Sequence, residues 1–312
     1  MLVVVAVGGN ALLQRGEVPL AQTQEKNVAA AVGALTPLAA DHDLVITYGD
    51  GPQVGLLANE SAADPVLPAP YPLDVLVAQT QGMIGYFLLQ AFENALPGRQ
   101  VASLICQTEV AADDPAFTRP TKFIGPEYPH AEARRLAGLR GWQIRQDGAA
   151  WRRVVASPEP RAIVELPVIR TLVAAGAIVI CAGGGGAPVL QDGDGHFRGA
   201  EAVVDKDLSS ALLARDLGAD ALVILTDVAN VETGFGTDAA KPIGLTSPAA
   251  LRDLKFPAGS MGPKIEAACR FVEATGKPAM IGRLDDAADL VRGTRGTVVE
   301  PASQTTASRG SA

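Results

Sequence analysis

Continuous apolar runs alternate along this chain with stretches in which hydrophobic residues recur every three or four positions. Residues 2–7 and 44–47 are apolar runs typical of buried strands, and residues 28–38 between them carry hydrophobic side chains at helical spacing. The same order continues, with helices predicted at 74–95, 166–175, 208–217 and 265–275 and strands at 101–106, 177–182, 221–225 and 279–281. Such alternation predicts an α/β fold with a mostly parallel sheet, helices on both faces and a ligand site beyond the carboxyl ends of the strands.

Two segments break this alternation. Residues 112–160 are rich in Pro, Gly and Arg and contain both tryptophans, which favours an inserted subdomain or lid. The small, polar residues 301–312 have little apolar surface to offset the entropy of ordering, so we expect a mobile tail. We therefore predict a single domain over residues 1–300 that carries the insertion.

Glycine-rich turns follow several of the predicted strands. They are Gly8–Gly9–Asn10, Gly49–Asp50–Gly51, residues 183–186 and, before a late helix, residues 259–264. A single pair of glycines favours only a tight turn between a strand and a helix. Several such turns at one edge of a sheet would instead offer backbone N–H groups and helix N-termini to a chain of phosphates. Together they predict a phosphate-binding site.

A charged cluster, Asp205–Lys206–Asp207, opens a predicted helix beside these turns. A lysine next to bare glycine backbone supplies a compact cation for phosphate, and the combination indicates a phosphoryl-transfer enzyme. The common nucleotide motifs are absent, because residues 259–264 do not fit a P-loop and residues 183–189 do not fit a dinucleotide-binding turn. Phosphoryl transfer depends mainly on positioning, cations and Mg²⁺, so it does not need those motifs.

Composition restricts the partners of the protein. The 312 residues are 48% hydrophobic and carry a net charge of -8, which argues against a nucleic-acid or anionic-membrane surface because such surfaces need clustered Lys and Arg. No signal peptide and no apolar run of about 18 residues is evident, so we expect a soluble cytoplasmic protein that acts on a small molecule. The cysteines are expected to be reduced core thiols without metal-ligand spacing, and the histidines to be surface residues. These residues are Cys106, Cys181, Cys269, His42, His130 and His196.

Several segments closely resemble carbamate kinases, and they occur in the same order. They are residues 8–12 (GGNAL), 51–55 (GPQVG), 79–86 (QTQGMIGY), 114–117 (DPAF), 120–122 (PTK), 152–158 (RRVVASP), 183–186 (GGGG), 201–207 (EAVVDKD) and 259–264 (GSMGPK). The resemblance implies the amino-acid kinase fold, a three-layer αβα architecture with a protruding lid subdomain, and a homodimer. It also implies reversible, Mg²⁺-dependent phosphoryl transfer between carbamoyl phosphate and ADP, which yields ATP and carbamate.

The resemblance also implies roles for individual residues. Lys206 and Lys264 would contact the phosphate in transfer and the nucleotide phosphates, and Asp207 would hold both lysines, although Asp207 also fits the N-cap of the following helix. Lys122 would contact substrate, whereas a solvated loop lysine is the alternative. The residues implied to cradle the transferred phosphoryl group are Gly8, Gly9, Asn10, Gly49, Asp50, Gly51, Gly183 and Gly184. Those implied to border the nucleotide are Asp227, Met261, Gly262 and Lys264.

Some positions depart from the pattern of these kinases. Tyr48 and Asp50 stand where that pattern has histidine and asparagine, and Phe123, Glu127, Ala229 and Glu232 also differ. Asp50 either faces the phosphoryl group or serves the turn before Gly51, and we expect the turn role. Two other functions stay open at this point: a related kinase acting on another small carboxylate, and a non-catalytic protein that binds nucleotide.

Overall fold

Strands and helices alternate along the part of the chain that the computed structural model describes, residues 1–14, 16–237, 239–254, 256 and 261–302. The strands are β1 (Leu2–Val7), β2 (Asp43–Tyr48), β3 (Val101–Ser103), β4 (Gln107–Glu109), β5 (Lys122–Tyr128), β6 (Gln143–Asp147), β7 (Ala150–Val155), β8 (Ala162–Ile163), β9 (Ile178–Ile180), β10 (Ala187–Gln191), β11 (Phe197–Gly199), β12 (Ala221–Thr226), β13 (Val231–Thr233), β14 (Lys241–Ile243), β15 (Leu245–Thr246), β16 (Ala279–Arg283) and β17 (Thr297–Val299). The helices are α1 (Gly9–Leu12), α2 (Ala21–Asp41), α3 (Gly51–Ala63), α4 (Leu73–Ala95), α5 (His130–Arg140), α6 (Leu166–Ala174), α7 (Lys206–Leu217), α8 (Pro248–Arg252), α9 (Met261–Thr275) and α10 (Ala287–Val291).

The main sheet has eight strands in the order β15-β17-β16-β12-β1-β2-β9-β3. β16 and β17 run antiparallel, and the other neighbouring pairs run parallel. The predicted α/β fold with a mostly parallel sheet is therefore confirmed. The carboxyl ends of β1, β2, β9 and β12 lie side by side at one edge, because these strands are neighbours or near neighbours in the sheet.

Helices cover both faces of this sheet and make the architecture three-layered. In β1, Val3, Val5 and Val7 pack into a core with α2 and α4, whereas Val4 and Ala6 pack on the opposite face with α7 and α9. Both faces of the sheet are buried beneath helices, which explains why the strand sequences are continuous apolar runs rather than alternating apolar and polar residues. Each fully buried valine contributes on the order of 1.5–3 kcal/mol of transfer free energy, so the two cores stabilise the sheet together.

The predicted strand at 101–106 is wrong in its extent, because the chain leaves the main sheet after Ser103. The side chain of Gln81 binds both backbone groups of Cys106, accepting from its N–H at 2.9 Å and donating to its carbonyl at 3.0 Å. These bonds replace the ladder of the main sheet at Cys106. The chain then enters a second sheet as β4, in the order β11-β10-β4-β8.

The predicted insertion contains a sheet of its own. β5, β7 and β6 form a three-stranded antiparallel sheet, and α5 connects β5 to β6. Ile124 and Val155 of this sheet pack against Val54 of α3 and Leu76 of α4, so the insertion is docked on the main domain through an apolar contact. Its N-terminal strand begins at Lys122, one of the residues implied to bind substrate.

Two composition-based expectations have clear outcomes. All three cysteines are buried and unpaired, as expected. His130 and His196 are exposed, but His42 is partly buried.

Among the described residues, α4 is long and apolar enough by length and composition to cross a membrane, although half of its most apolar window is buried. Core helices of this kind pass the same test, and Leu88 and Phe92 of α4 fill the core.

Candidate active site

Glycine-rich turns from neighbouring strands touch one another at the carboxyl edge of the main sheet. A Cβ atom built on Gly49 would lie 2.9 Å from the backbone nitrogen of Gly9, and one on Gly8 would lie 3.0 Å from the carbonyl oxygen of Leu225. Glycine is therefore required for the turns after β1 and β2 to approach each other this closely, and for the turn after β1 to lie against the end of β12. Gly51 has open space around its Cβ position and begins α3.

A lysine pair sharing one carboxylate lies beside these turns. The Nζ atom of Lys206 lies 2.8 Å from Oδ1 of Asp207, and Nζ of Lys264 donates to Oδ2 of Asp207 at 2.8 Å. Lys206 also donates to the carbonyl of Val7, the last residue of β1, at 3.2 Å. The expectation that Asp207 holds both lysines thus matches the geometry, which arises because α7 and α9 pack against each other.

The electrostatics of this cluster leave an excess of positive charge. Burial favours the neutral acid at Asp207, but the two lysines outweigh it and hold the pKa of this carboxyl well below its ordinary value. Burial, together with the nearby ammonium of Lys264, lowers the pKa of Lys206. At Lys264, burial acts in the same direction, but the carboxylate of Asp207 outweighs it and the pKa is raised. Two cations around one anion can bind a further anion such as phosphate.

Asp205, rather than Asp207, caps the helix α7. Its Oδ1 accepts from the backbone N–H groups of Asp207 at 2.9 Å and Leu208 at 3.3 Å, so the alternative N-cap role for Asp207 is wrong. Its Oδ2 accepts from Nζ of Lys122 at 2.6 Å. No role was predicted for Asp205 from the sequence, although an aspartate just before a helical apolar repeat is itself a cap signal.

Lys122 reaches the cluster from the insertion. It is the first residue of β5, and its side chain is 30% exposed and ion-paired with Asp205. The alternative of a solvated loop lysine is therefore wrong. The pairing connects residues 83 positions apart and brings a third lysine near Lys206 and Lys264.

Asp227 and Asn10 connect the strand ends on the expected nucleotide side. The side-chain amide of Asn10 donates to Oδ2 of Asp227 at 2.6 Å. Asp227 directly follows β12 and is exposed. Met261 and Gly262 lie with Lys264 in the first turn of α9, which begins four residues earlier than the sequence analysis expected. Gly259 and Ser260, which belong to the same predicted turn, lie outside the described residues.

The prediction that the side chain of Asp50 serves the turn before Gly51 is not matched by its hydrogen bonds. It is the N-cap residue of α3 but makes no side-chain hydrogen bond to that helix. Instead, its Oδ2 accepts from the hydroxyl of Thr80 in α4 at 2.7 Å, and among the described residues its buried Oδ1 has no partner. Burial raises the pKa of Asp50 to about 6, with the Thr80 hydroxyl and the charge of Lys122 acting in the opposite direction.

Gly183 and Gly184 are buried, and their missing side chains are explained by internal packing. A Cβ on Gly183 would lie 2.4 Å from the ring of Tyr48, and one on Gly184 would lie 2.3 Å from Oδ1 of Asp50. The hydroxyl of Tyr48 in turn donates to the carbonyl of Gln81 at 2.9 Å. Tyr48 and Asp50, two departures from the carbamate kinase pattern, thus lie directly beneath this turn.

The donor set of the site suits a metal that arrives with the nucleotide. Mg²⁺ in phosphoryl-transfer sites is held by one or two carboxylates together with substrate phosphates. The carboxylate of Asp207 is occupied by two lysines, whereas that of Asp227 is exposed and has one amide partner. The described residues do contain one cluster with metal-ligand geometry, Asp192, Asp194 and His196, but it lies exposed in the β10–β11 hairpin and includes neither Asp207 nor Asp227.

A cleft of about 1010 Å³ opens between the insertion and the main domain. Tyr71, Phe117, Trp142, Arg153 and Glu201 are among its lining residues. Neither the lysine pair nor Asp207 lines this cleft. We therefore locate the candidate chemistry at the lysine cluster, where charge and strand ends converge, and regard the cleft as the space between the two parts of the molecule.

Comparison with known proteins agrees with this architecture. The family model described as the Amino acid kinase family matches residues 1–283. The chain therefore belongs to the amino acid kinase family, whose members transfer phosphoryl groups.

Within that family, curated relatives that are 42% to 52% identical to this chain are carbamate kinases, which confirms the resemblance carried by the motifs. The carbamate kinase of Rhizobium meliloti (strain 1021) is 52% identical over 303 residues, covering 96% of this chain and 93% of the relative. That of Escherichia coli (strain K12) is 48% identical over 296 residues, covering 95% and 98%. The solved structure of carbamate kinase from Giardia lamblia bound to AMP-PNP has a TM-score of 0.86 at 40% identity, and the match covers 96% of this chain and 98% of that one.

Proposed function

We propose that this protein is a carbamate kinase that transfers a phosphoryl group reversibly between carbamoyl phosphate and ADP, yielding ATP and carbamate. The observation that carries the proposal is the pair of lysines, Lys206 and Lys264, held on Asp207 at the carboxyl edge of the sheet. Carbamate kinases about 50% identical over nearly the whole chain support the same activity. A protein that only binds nucleotide has no need for one buried and one partly buried lysine that converge on the same carboxylate.

The charges of the site suit the transition state of phosphoryl transfer. Charge in this transition state is spread over the equatorial oxygens of the transferred group, so cations that are already in position stabilise it without reorganisation. Lys206 donates a hydrogen bond to the carbonyl of Val7 at the end of β1, and Lys264 belongs to the first turn of α9. The carboxylate of Asp207 favours the protonated form of both ammonium groups and holds them in place, while one net positive charge faces the phosphoryl group.

The remaining site residues divide between the two substrates. Lys122 approaches the carbamoyl phosphate side from the insertion. The turns after β1 and β2 offer backbone N–H groups to the transferred phosphoryl group. Residues proposed to bind this group are Gly8, Gly9, Asn10, Gly49, Asp50, Gly51, Gly183 and Gly184. Asp50, Gly183 and Gly184 are buried, so they would act through the shape of their turns rather than through a charge that faces the group. Asp227, Met261, Gly262 and Lys264 are proposed to border the nucleotide.

Mg²⁺ would neutralise the phosphates of the bound nucleotide and be held mainly by them, with Asp227 as the available carboxylate. We also propose that the insertion, residues 112–160, acts as a lid on a single domain of residues 1–300. The protein is further proposed to form a homodimer and to act in the cytoplasm.

The test is a coupled assay for ATP formation from ADP and carbamoyl phosphate, with and without Mg²⁺. We expect Mg²⁺-dependent ATP formation that is lost in Lys206→Ala and kept in Lys26→Ala, a matched change at an exposed lysine of α2. Folded protein that forms no ATP at any practical substrate concentration refutes the proposal. ATP formation from acetyl phosphate or another acyl phosphate in preference to carbamoyl phosphate would instead identify a kinase for another small carboxylate.

A further inference from the structure

Helix α3 connects the proposed phosphate turn to the inserted sheet. It begins at Gly51, directly after Gly49 and Asp50, and Gly55 and Asn59 follow one and two turns later. Residues four apart lie on the same face of a helix. This face is turned toward β5, against which α3 packs.

Gly55 makes an unusually close backbone contact with β5. A Cβ atom built on Gly55 would lie 1.9 Å from Cα of Gly125 and 2.2 Å from its nitrogen, distances that no real side chain tolerates. Gly125 has φ of +72°, and the pairing of β5 with β7 is irregular between Ile124 and Tyr128. The strand therefore bends its backbone onto the bare surface of the helix.

The same stretch of β5 is fixed from its other side. The guanidinium of Arg152 in β7 donates to the carbonyl of Gly125 twice, from Nε at 3.1 Å and from Nη2 at 2.9 Å. Its third nitrogen donates to Asp147 at 3.0 Å. A fork of this kind holds its acceptor in one geometry, so Gly125 has little freedom to move away from α3.

Asn59 adds a polar contact on the same face of α3. Its amide donates to the hydroxyl of Tyr128 at the end of β5 at 3.1 Å, and its carbonyl oxygen accepts from Arg140 of α5 at 2.8 Å. Only a small void of about 10 Å³ remains beside these contacts, lined in part by Gly55, Asn59 and Gly125.

Lys122 lies three residues before Gly125 on the same strand, and its Nζ is 2.6 Å from Asp205. We propose that the Gly55–Asn59 face of α3 is a positioning surface that sets Lys122 for phosphoryl transfer, an inference that rests on the proposed function. Gly55 acts by allowing close approach, and Asn59 acts by tying the end of β5 to α3. Neither residue touches the phosphoryl group.

The test compares Gly55→Ala with Gly33→Ala. Both place alanine inside a helix, but the Cβ position of Gly33 in α2 has no atom within 4 Å. Because a displacement of about 1 Å can cost on the order of a hundredfold in rate, we expect Gly55→Ala to lower kcat/KM for carbamoyl phosphate by roughly 10- to 100-fold. Gly33→Ala should keep the activity of the unchanged enzyme.

A double-variant cycle separates positioning from general damage. In a Lys122→Ala background, Gly55→Ala should lower kcat/KM by no more than about twofold, because the residue being positioned is absent. An equal loss with and without Lys122 overturns the inference. If Gly55→Ala does not fold, Asn59→Ala takes its place in the same cycle, since it removes two hydrogen bonds without a clash.

Amide hydrogen exchange over residues 122–128 gives a readout that does not depend on turnover. We expect faster exchange there in Gly55→Ala and Asn59→Ala than in the unchanged protein and in Gly33→Ala. Unchanged exchange in both variants overturns the positioning role even if activity falls. If the protein without substitutions makes no ATP, the proposed function is refuted, and the expected effect on turnover with it. Faster exchange in the two variants would still support the structural contact between α3 and β5.

Discussion

The buried carboxylate of Asp50 should make stability depend on pH in a way that one substitution removes. Asp50 is 1% exposed, and its pKa is raised from 3.8 to about 6, chiefly by burial. A rise of this size corresponds to about 3 kcal/mol of unfavourable free energy for the charged form in the folded protein. Asp50→Asn keeps the shape and the acceptor for Thr80 but cannot ionise.

The sign follows from proton binding. Below pH 3.8 the carboxyl is protonated in the folded and unfolded states, so it adds no pH-dependent penalty. As pH rises from there through about 6, the folded state retains a proton that the unfolded state has released, and stability falls; above that range the full penalty of about 3 kcal/mol is present. Roughly half of it is already present at pH 5. The stability of Asp50→Asn relative to the unchanged protein should therefore increase by about 1.4 kcal/mol between pH 5 and pH 8.

The side-chain amide introduces an offset that does not change this slope. In Asp50→Asn the new amide would place an N–H donor in the buried space now filled by Oδ1, which has no partner among the described residues. An unsatisfied buried donor costs about 1–3 kcal/mol at every pH. The slope of the difference between the two proteins, rather than its value at one pH, is thus the diagnostic quantity.

The measurement is urea unfolding of both proteins at several pH values from 5 to 8. Circular dichroism is the suitable probe, because both tryptophans lie within the insertion and would report on that part alone. Asp113→Asn, the same change at an exposed turn position, serves as the matched control. A flat difference for Asp50→Asn, or one that decreases toward pH 8, refutes the argument.

Three further predictions concern catalysis, closure of the lid and substrate binding. Lys206→Ala and Lys264→Ala should each lower kcat by on the order of a hundredfold or more, the scale of losing one preorganised transition-state contact, with thermal unfolding little changed; near-normal kcat in either variant contradicts its role. Hydrogen exchange over residues 112–160 should slow when substrate or an analogue binds, because closure of the lid would narrow the cleft beside it. An exchange rate that is the same with and without ligand argues against a lid. Asp50→Asn should change KM for carbamoyl phosphate only modestly, since the carboxylate is bound to Thr80; a tenfold or larger improvement, about 1.4 kcal/mol, would show that the charge faces substrate.

Local patterns in the sequence were sufficient for the main alternation of strands and helices and for the edge of the sheet where chemistry is concentrated, but not for α3, α5 or most of the short strands. The apolar run at residues 2–7 predicted a strand buried on both faces, and the repeat between residues 208 and 217 predicted α7, which ends at Gly218 in the left-handed conformation. Glycines after successive strands predicted turns that the structure brings into contact. Such features depend on residues close together in the chain, so a linear pattern records them.

The partners of individual side chains were decided only by the tertiary structure. Asp50 binds Thr80 across 30 positions, Lys264 binds Asp207 across 57 and Lys122 binds Asp205 across 83. The strand predicted at 101–106 ends early for the same reason. The side chain of Gln81, from helix α4, forms hydrogen bonds with the backbone N–H and carbonyl groups of Cys106. No local pattern contains the packing of α4, α7, α9 and the insertion, and that packing determines which charges meet, how deeply each is buried and therefore how each titrates.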